Sequence, residues 1–534
     1  MRSKYGLLIA AVVLLMVSAG CKKGTEIQPR ALHVAALAGP VSLNPVFLRD
    51  SVSAEAATLL HPQLLTTNPL TLAPEPRLIT SWEVKEDNLT YLLSIADGVT
   101  WSDGTSLTAE DVAFTLRVIC HPDYTGWMYP LLRNIVGAEE YRAEHTSPYA
   151  DGDVAGIKIL AENTLEVRLN KPHAPFLTYL TFAPLPVQLL RGVPVGEMEA
   201  HQYSRTVNVS AGPYLLQEWR QDEYLHVTAN PNYFLGKPEI NDIYYRMIPN
   251  PESQLIEILA GKLDLIPTAV KVEDIQMLEQ DAEISIHRNQ RLVYDYIGFN
   301  VKKEGPLSNI KVRRALSLLL DKNEIVENLL LGNAEPLHGP ILPLHFSYDD
   351  SFMVYEENLP AARSLLLSVG YPVLQLKLIV NAGNIVRENV ALMFKEQAAK
   401  VGIDVKVTLL EWEAFLAAYR EGEYDLVALG RGVDADPDLT FHWHSDSPGN
   451  TMGYGNTEVD ALLEQGAKIY DRDQRSEIYQ KVQKLIVEDA PMIWLYSRQA
   501  VHAAAADLQG LEPHPETLFY NVHQWRFAEQ EADQ

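Results

Sequence analysis

The sequence is poor in cysteine and in basic residues, and each shortage excludes some classes of structure or binding partner. Cys21 and Cys120 are the only cysteines, so neither a disulfide framework nor a thiolate metal cluster is available. Lys and Arg number 44 against 70 Asp and Glu, which gives a formal net charge of −26. This balance argues against nucleic acid or an anionic membrane surface as a partner, because both are bound through basic patches.

Motifs of common catalytic sites are also missing. The chain has no Gly-x-Ser-x-Gly, no His-Glu-x-x-His and no phosphate-binding loop. No stretch beyond the N-terminal apolar run is apolar enough to span a membrane. We therefore expect a protein that is not an enzyme and has no cofactor and no metal site. The catalytic alternative is a carboxylate pair for glycoside hydrolysis, Asp434 with Asp436.

The first twenty-one residues have the plan of an export signal. Arg2 and Lys4 precede the apolar run 7–17, which is shorter than the roughly 20 helical residues that cross a bilayer. Small residues from Ser18 onward lead into Cys21, as before a cleavage site. The segment resembles a bacterial lipoprotein signal, although Ser18 stands where that pattern prefers Leu. The resemblance implies lipidation of Cys21 and an extracytoplasmic, membrane-anchored protein; cleavage without lipid and an uncleaved anchor are the alternatives.

The remaining length predicts at least two domains, because one hydrophobic core rarely organises so long a chain. Residues 21–30 form a polar spacer and predict a flexible tether. Farther on, Thr108 predicts a helix start, with Glu110 and Asp111 complementing the helix dipole. Cys120 lies in that helix and is expected to be a buried apolar residue.

The clearest α/β unit lies in the C-terminal half. Residues 376–380, 403–409 and 424–429 read as strands, and 386–401 and 412–419 read as helices with apolar residues at three-and-four spacing. Strands that alternate with helices predict an α/β fold with a largely parallel, right-handed sheet.

The strand predicted at 424–429 leads into a glycine-rich, acidic loop over 430–438. In an open α/β sheet, ligands bind at the carboxyl ends of the strands, so this loop is the best binding-site candidate. The alternative is an exposed acidic turn with Asp-Pro as its signal.

An ordered set of motifs covers most of the chain. The set comprises Val41-Ser-Leu-Asn-Pro45, Pro76-Arg-Leu-Ile-Thr-Ser-Trp82, Asp97-Gly-Val-Thr-Trp101-Ser-Asp-Gly104, Leu107-Thr-Ala-Glu-Asp-Val112, Ser210-Ala-Gly-Pro-Tyr214, Ala229-Asn-Pro-Asn-Tyr-Phe234-Leu-Gly236, Leu259-Ala-Gly-Lys-Leu-Asp264, Tyr296-Ile-Gly-Phe-Asn300 and Val312-Arg-Arg-Ala-Leu316. In this order and spacing the chain resembles the extracytoplasmic solute-binding proteins of peptide- and nickel-type ABC importers, family 5. The resemblance extends from residue 31 to about 510.

The resemblance implies a two-lobed periplasmic-binding-protein fold of the class II type. The implied divisions are a signal (1–20), lobe one (31–270, with an inserted subdomain at about 55–185), lobe two (271–488), a return to lobe one (489–527) and a tail (528–534). The hinge is expected near Ala269-Val270 and Asp489-Ala490. The implied function is a monomeric, lipid-anchored receptor that captures oligopeptides by closing its cleft and delivers them to a permease with paired ATPases.

The resemblance also implies where a peptide ammonium would bind. Peptide-binding members hold it with an aspartate in a Gly-Trp…Asp…Asp-Pro pattern, to which Asp434 aligns. Asp436 is the alternative, because one residue is missing between the two aspartates. Arg431 replaces the tryptophan, and it is expected either to pair with one of these carboxylates or to anchor a ligand carboxylate.

Other ligand-border residues follow from the same resemblance. Asn44 and Phe47 lie in a loop expected beside the cleft. The candidate aromatic walls are Tyr124, Trp127, Trp412, Phe441, Trp443 and Tyr454.

Two functional alternatives remain. The ligand could be a sugar, an opine or a nickel chelate, for which His442 and His444 are the candidate imidazoles. The protein could also be a sensory receptor that signals without uptake.

Overall fold

The computed structural model describes residues 30–528, except 269, 353 and 372. The predicted signal, Cys21, nearly all of the tether, Ala269 of the predicted hinge and the last six residues of the tail therefore lie outside the described residues. None of the helices in the described part combines the length and the apolarity that crossing a bilayer would require.

Nineteen strands are described. They are β1 (Leu32–Ala36), β2 (Leu65–Thr67), β3 (Pro74–Pro76), β4 (Ile79–Val84), β5 (Thr90–Ile95), β6 (Ile157–Ala161), β7 (Thr164–Arg168), β8 (Tyr214–Arg220), β9 (Tyr224–Ala229), β10 (Asp242–Met247), β11 (Leu265–Ile266), β12 (Ile284–Phe299), β13 (Ala334–Pro336), β14 (Leu374–Asn381), β15 (Ile403–Leu410), β16 (Leu426–Gly432), β17 (Met492–Ala505), β18 (Leu508–Gln509) and β19 (Arg526–Phe527).

Sixteen α-helices accompany them within the described ranges. They are α1 (Ser51–Leu60), α2 (Ala109–Cys120), α3 (Tyr129–Leu132), α4 (Ala138–Glu144), α5 (Val187–Leu190), α6 (Tyr203–Thr206), α7 (Pro251–Leu259), α8 (Ile275–Glu279), α9 (Ile310–Ser317), α10 (Lys322–Leu329), α11 (Leu359–Ser368), α12 (Ile385–Lys400), α13 (Trp412–Glu421), α14 (Thr440–Trp443), α15 (Thr457–Gly466) and α16 (Arg472–Asp489). A 3₁₀ helix, Ala174–Tyr179, borders the site described below.

One sheet of eleven strands runs through the molecule. Its order is β15-β14-β16-β12-β17-β11-β1-β10-β9-β8, and β13 pairs with β17. The two long strands β12 and β17 are antiparallel partners that connect the two ends of this sheet. Their pairing shifts register between Gln290 and Tyr294, where the ladder is interrupted.

The hydrophobic cores divide the chain into two lobes. One core joins residues from Leu32 to Leu265 with others from Ala504 to Trp525. Two further cores lie within 292–496, apart from the contribution of Leu72. We therefore propose that lobe two spans about 291–498. In this proposal the chain crosses between the lobes within β12 and β17, rather than near residues 269–270 and 489–490.

A separate domain-like unit lies within the predicted insertion in lobe one. Its four-stranded sheet has the order β4-β5-β7-β6 and packs against α2. Thr108 caps α2, and the Asp111 side chain accepts a hydrogen bond from the Thr108 backbone, completing a capping box. Cys120 at the end of this helix is buried, and burial raises the pKa of its thiol to about 12. The predicted helix start and the buried cysteine are both confirmed.

The predicted α/β unit is also confirmed. Strand β14 pairs in parallel with both β15 and β16, and α12 connects β14 to β15. Strand β16 is longer than predicted at its carboxyl end, because pairing with β12 continues through Gly432. Gly430 and Arg431 therefore belong to the strand, and the loop begins at Val433.

Candidate functional site

The loop that follows β16 lies at the carboxyl ends of the parallel strands of lobe two. Its backbone is held by His345, whose Nε2 donates to the Asp434 carbonyl oxygen at 2.8 Å. The Leu342 N–H donates to His345 Nδ1 at 3.2 Å, so the proton of the neutral ring is on Nε2. Burial lowers the pKa of His345, which keeps this tautomer uncharged. Sequence reasoning missed His345, because it lies far from the loop in the chain.

Asp434 presents a free carboxylate next to lobe one. Its side chain is accessible to solvent but has protein on most sides, and no hydrogen-bond donor contacts it among the described residues. Desolvation by this surrounding protein, followed by the charges of Asp438, Asp436 and Glu516, raises the pKa of Asp434 to about 6. Glu516 belongs to lobe one, so the carboxylate lies at the boundary between the lobes.

Asp436 has a different role. Its Oδ2 accepts from Arg475 Nη1 at 2.8 Å and its Oδ1 from Arg475 Nη2 at 2.5 Å, and both side chains are buried. Arg475 also donates to the Gly466 carbonyl, which fixes α16 to the end of α15. A bidentate pair of this kind occupies both carboxylate oxygens. Asp436 is therefore part of the support of the loop, and the alternative that it holds a ligand ammonium is not supported.

Asp438 completes the acidic loop. Its Oδ1 accepts from the backbone N–H and the hydroxyl of Thr440, at 2.9 and 2.5 Å. Burial raises the pKa of Asp438, and the nearby imidazole of His173 in lobe one acts in the opposite direction. Tyr179, also in lobe one, lies close to the same carboxylates, and burial raises the pKa of its phenol well above the usual value. The loop therefore faces the Ala174–Tyr179 turn.

Arg431 does not pair with either aspartate. Its side chain is buried in lobe two, with Cζ 5.1 Å from the ring centroid of Tyr296 and 5.6 Å from that of Trp443. Both rings are in cation–π range. The expected salt bridge to Asp434 or Asp436 is therefore corrected.

Asn44 and Phe47 are fully buried in lobe one. Asn44 Nδ2 donates to Ser204 Oγ at 3.3 Å, and the Phe47 ring packs 5.1 Å from the ring of Tyr124. Both side chains hold the loop against the lobe-one core. The expectation that they border the ligand is not supported by their positions.

The aromatic candidates divide into exposed and buried residues. Trp412 and Phe441 are 50% and 51% exposed, and Trp412 stacks on Phe415 at the start of α13. Trp127 is 58% exposed in lobe one. Trp443 is buried between Tyr454 and Trp494, so it is a core residue rather than a wall of the cleft. Tyr124 and Tyr454 are buried as well.

His442 and His444 do not face a common point. His442 lies in the one-turn helix α14 and His444 directly follows it, whereas a strand was expected here. In a helix, side chains two residues apart point in different directions, so the two rings diverge. Burial, and next the charge of Arg431, lower the pKa of His442 to about 3, whereas His444 lies 3.6 Å from Glu464. Within the described ranges no three His, Cys, Asp or Glu side chains are grouped as metal ligands.

The two lobes touch next to this loop. The Ala174 N–H donates to the Ala467 carbonyl at 2.8 Å, and Arg472 donates to the Thr71 carbonyl at 2.9 Å. Leu72, which lies within the predicted insertion in lobe one, is buried in a core of lobe two. The structure therefore has the lobes in contact, with Asp434 beside the joint.

Comparison with known proteins agrees with this architecture. Residues 73–453 match the family described as "Bacterial extracellular solute-binding proteins, family 5 Middle". The oligopeptide-binding protein AppA of Bacillus subtilis (strain 168) is 29% identical, over 96% of this chain and 94% of that protein. The heme-binding protein A of Haemophilus influenzae (strain ATCC 51907 / DSM 11121 / KW20 / Rd) is 25% identical, over 85% and 84%.

A solved structure extends the comparison. The structure of AppA from Bacillus subtilis in complex with a nonapeptide has a TM-score of 0.77 and 27% identity, covering 94% of this chain and 100% of that chain. The two-lobed α/β fold is thereby shared with a binding protein. This chain therefore belongs to the family 5 extracellular solute-binding proteins, which bind solutes and do not catalyse reactions.

Proposed function

We propose that this protein is the lipid-anchored receptor of an ABC importer and that it captures oligopeptides by closing its two lobes. The observation that carries the peptide assignment is the Asp434 carboxylate, which lies at the lobe boundary and has no hydrogen-bond donor among the residues that the structure describes. A peptide ammonium would supply the missing positive charge and up to three hydrogen bonds. Arg475 does not supply this positive charge to Asp434, because its guanidinium is already paired with Asp436.

The surroundings of Asp434 favour a cation over an anion. Asp438 and Glu516 add negative charge nearby, whereas the nearest arginine on α16 is neutralised by Asp436. A carboxylate partly desolvated among like charges gains most from a positively charged partner. The relative AppA is named an oligopeptide-binding protein, which agrees in kind with an ammonium-bearing solute.

Closure would couple binding to delivery. Asp434 belongs to lobe two, and Tyr179 and Glu516 approach it from lobe one, while His173 of lobe one lies near Asp438 of the same loop. A solute that contacts both lobes only when they meet shifts the population toward the closed form. A permease that recognises this form would then receive loaded receptors. Cys21 would supply the lipid anchor.

Two binding measurements test the peptide assignment. Native mass spectrometry of gently purified protein identifies any co-purifying solute, and calorimetry then gives its affinity. We expect Asp434→Ala to weaken peptide binding by about 30-fold or more, because removal of one partner of a desolvated charge pair costs at least about 2 kcal/mol. N-acetylation of the same peptide removes the ammonium and should weaken its binding to the native protein comparably.

Asp446→Ala is the matched control. Asp446 is an exposed aspartate in the segment after α14, and its side chain makes no hydrogen bond within the described ranges. Its loss should leave peptide affinity unchanged. Equal affinity of the native protein and the Asp434→Ala variant for free peptide would contradict the assignment.

The anchor and the transport role need separate tests. Metabolic labelling with a fatty acid should mark the native protein and not a Cys21→Ser variant. Loss of peptide uptake on deletion of the gene supports import. A signalling response that is lost while uptake persists would instead support a sensory receptor.

A further inference from the structure

Arg431 is a buried cation that forms no salt bridge with any of the described residues. It lies on β16 opposite Tyr294 of β12, and the residue is only 7% exposed. Within the described ranges, Nη1 of Arg431 has no hydrogen-bond partner. The ionisable side chains recorded around the guanidinium are tyrosines and a histidine rather than carboxylates. A buried arginine is ordinarily paired, because removing a guanidinium from water is costly.

The aromatic rings around Arg431 offset this cost only in part. The guanidinium stacks near Tyr296 and Trp443, at 5.1 and 5.6 Å between Cζ and the ring centroids. Cation–π contacts of this kind are weaker than an ion pair with hydrogen bonds, and Nη1 remains without a hydrogen-bond partner among the described residues. The Tyr294 hydroxyl is near the guanidinium but not in hydrogen-bond geometry with Nη1.

Other unsatisfied polar groups surround the same point. Buried near Arg431 are the hydroxyls of Tyr294 and Tyr424 and the indole N–H of Trp494, and none of the three has a partner in hydrogen-bond geometry within the described part of the chain. All three can donate, and the nearby His442 stays neutral at physiological pH, since burial and the charge of Arg431 lower its pKa to about 3. The cluster therefore carries one net positive charge and an excess of donors.

We propose that Arg431, with Tyr294, Tyr424 and Trp494, forms a binding site in lobe two for a carboxylate group. The planar fork of the guanidinium matches a carboxylate, and the surrounding hydroxyls and indole N–H are the donors such a group needs. The next residue, Gly432, is exposed where the strand ends, and Asp434 follows two residues later in the chain. The carboxylate comes from a free small anion or from an acidic side chain of the captured solute; only the second source rests on the proposed function.

The first experiment uses sodium acetate and the whole purified protein. Acetate should raise the thermal unfolding midpoint saturably, and it should change the tryptophan fluorescence, because Trp443 and Trp494 border the site. Sodium chloride at equal ionic strength is the matched control, since chloride carries the same charge as acetate but has no planar carboxylate. Arg431→Met should remove the acetate effects, and Arg431→Lys, which keeps the charge but loses the fork, should weaken them.

The second experiment distinguishes the two sources. Tripeptides that differ only in Glu or Gln at the second residue are titrated into the native protein and the Arg431→Lys variant. If the solute supplies the carboxylate, the Glu peptide should bind about 10- to 100-fold more tightly, and the variant should lose this preference. Equal affinities combined with a saturable acetate effect assign the site to a free anion.

Two results would overturn the site. One is the absence of both an acetate effect and a preference for the Glu peptide in the native protein. The other is an acetate effect or a preference that persists undiminished in both Arg431 variants. The acetate measurement needs no peptide, so its outcome is independent of whether peptides are the transported solute.

Discussion

The phenol oxygen of Tyr470 in lobe two lies 2.6 Å from the phenol oxygen of Tyr91, on strand β5 of lobe one. The Tyr470 hydroxyl also donates to the Asn88 carbonyl at 2.9 Å and accepts from the His173 N–H at 3.3 Å. One side chain thus connects two segments of lobe one, 88–91 and His173, to the turn between α15 and α16. The contact lies on the side of the molecule where the lobes meet, so it stabilises the closed arrangement.

Tyr470→Phe should shift the ligand-free protein toward an open form. The substitution removes only the hydroxyl, and loss of its bonds costs about 1–3 kcal/mol of the contact between the lobes. Solution scattering should give a larger radius of gyration than for the native protein, and peptide affinity should fall in proportion to the closed fraction. Tyr224→Phe, which removes a hydroxyl bonded to Glu218 within lobe one, is the control. Superimposable scattering profiles and equal affinities would show that this contact does not favour closure.

Peptide affinity should depend on pH through Asp434. Its pKa of about 6 means that the carboxylate is ionised above pH 6 and neutral below it. A peptide ammonium is protonated up to about pH 8, so affinity should be highest between about pH 6 and 8. Below pH 6 it should fall by up to about tenfold per unit, as measured by calorimetry. An Asp434→Asn variant should bind weakly without this acid limb, and an unchanged limb would assign it to another group.

Asp436→Ala should destabilise lobe two strongly. The substitution leaves Arg475 buried without a partner, which costs about 3–5 kcal/mol. Urea denaturation measures the free energy of unfolding. Glu199→Ala breaks the exposed pair with Arg49 and should cost less than about 1 kcal/mol. Similar losses of unfolding free energy in the two variants would show that the buried pair of Asp436 and Arg475 stabilises the protein no more than an exposed pair.

His345 should act as a positioning residue for Asp434. His345→Ala removes the donor to the Asp434 carbonyl, and we expect peptide affinity to fall by about tenfold as the loop loosens. His345→Gln offers an amide N–H in place of Nε2–H and should restore most of the affinity. If the Ala and Gln variants lose stability equally while both keep native affinity, the histidine is only a core residue.

Patterns among neighbouring residues in the sequence predicted those helices and strands that short segments specify on their own. Thr108 was identified as a helix start because its capping residues follow within one turn. The parallel unit of β14, β15 and β16 was predicted because alternating and helical periodicities are properties of short segments. The end of β16 was misplaced, since its last residues are held in the sheet by β12, which lies more than a hundred residues earlier.

The sequence predicted the position of the acidic loop, but not the ion pairs and packing of the side chains in and around it. The acidic loop was expected after β16, and Asp434 lies there with no hydrogen-bond donor in the described part of the chain. The commitment of Asp436 to Arg475 was not visible, because the two are joined only when α16 packs against the loop. Arg431 was expected to face a carboxylate, but the pleat of β16 directs it to the aromatic side of the sheet, towards Tyr296 and Trp443.

The sequence by itself determined the family, the α/β class, the acidic balance and the position of the acidic loop, because these depend on composition and on residues that are neighbours in the chain. Only the tertiary structure decided which carboxylate of the loop has no donor among the described residues, and that Tyr470 reaches Tyr91. The free energy of a buried charge depends on the side chains packed around it, and these come from segments tens to hundreds of residues apart.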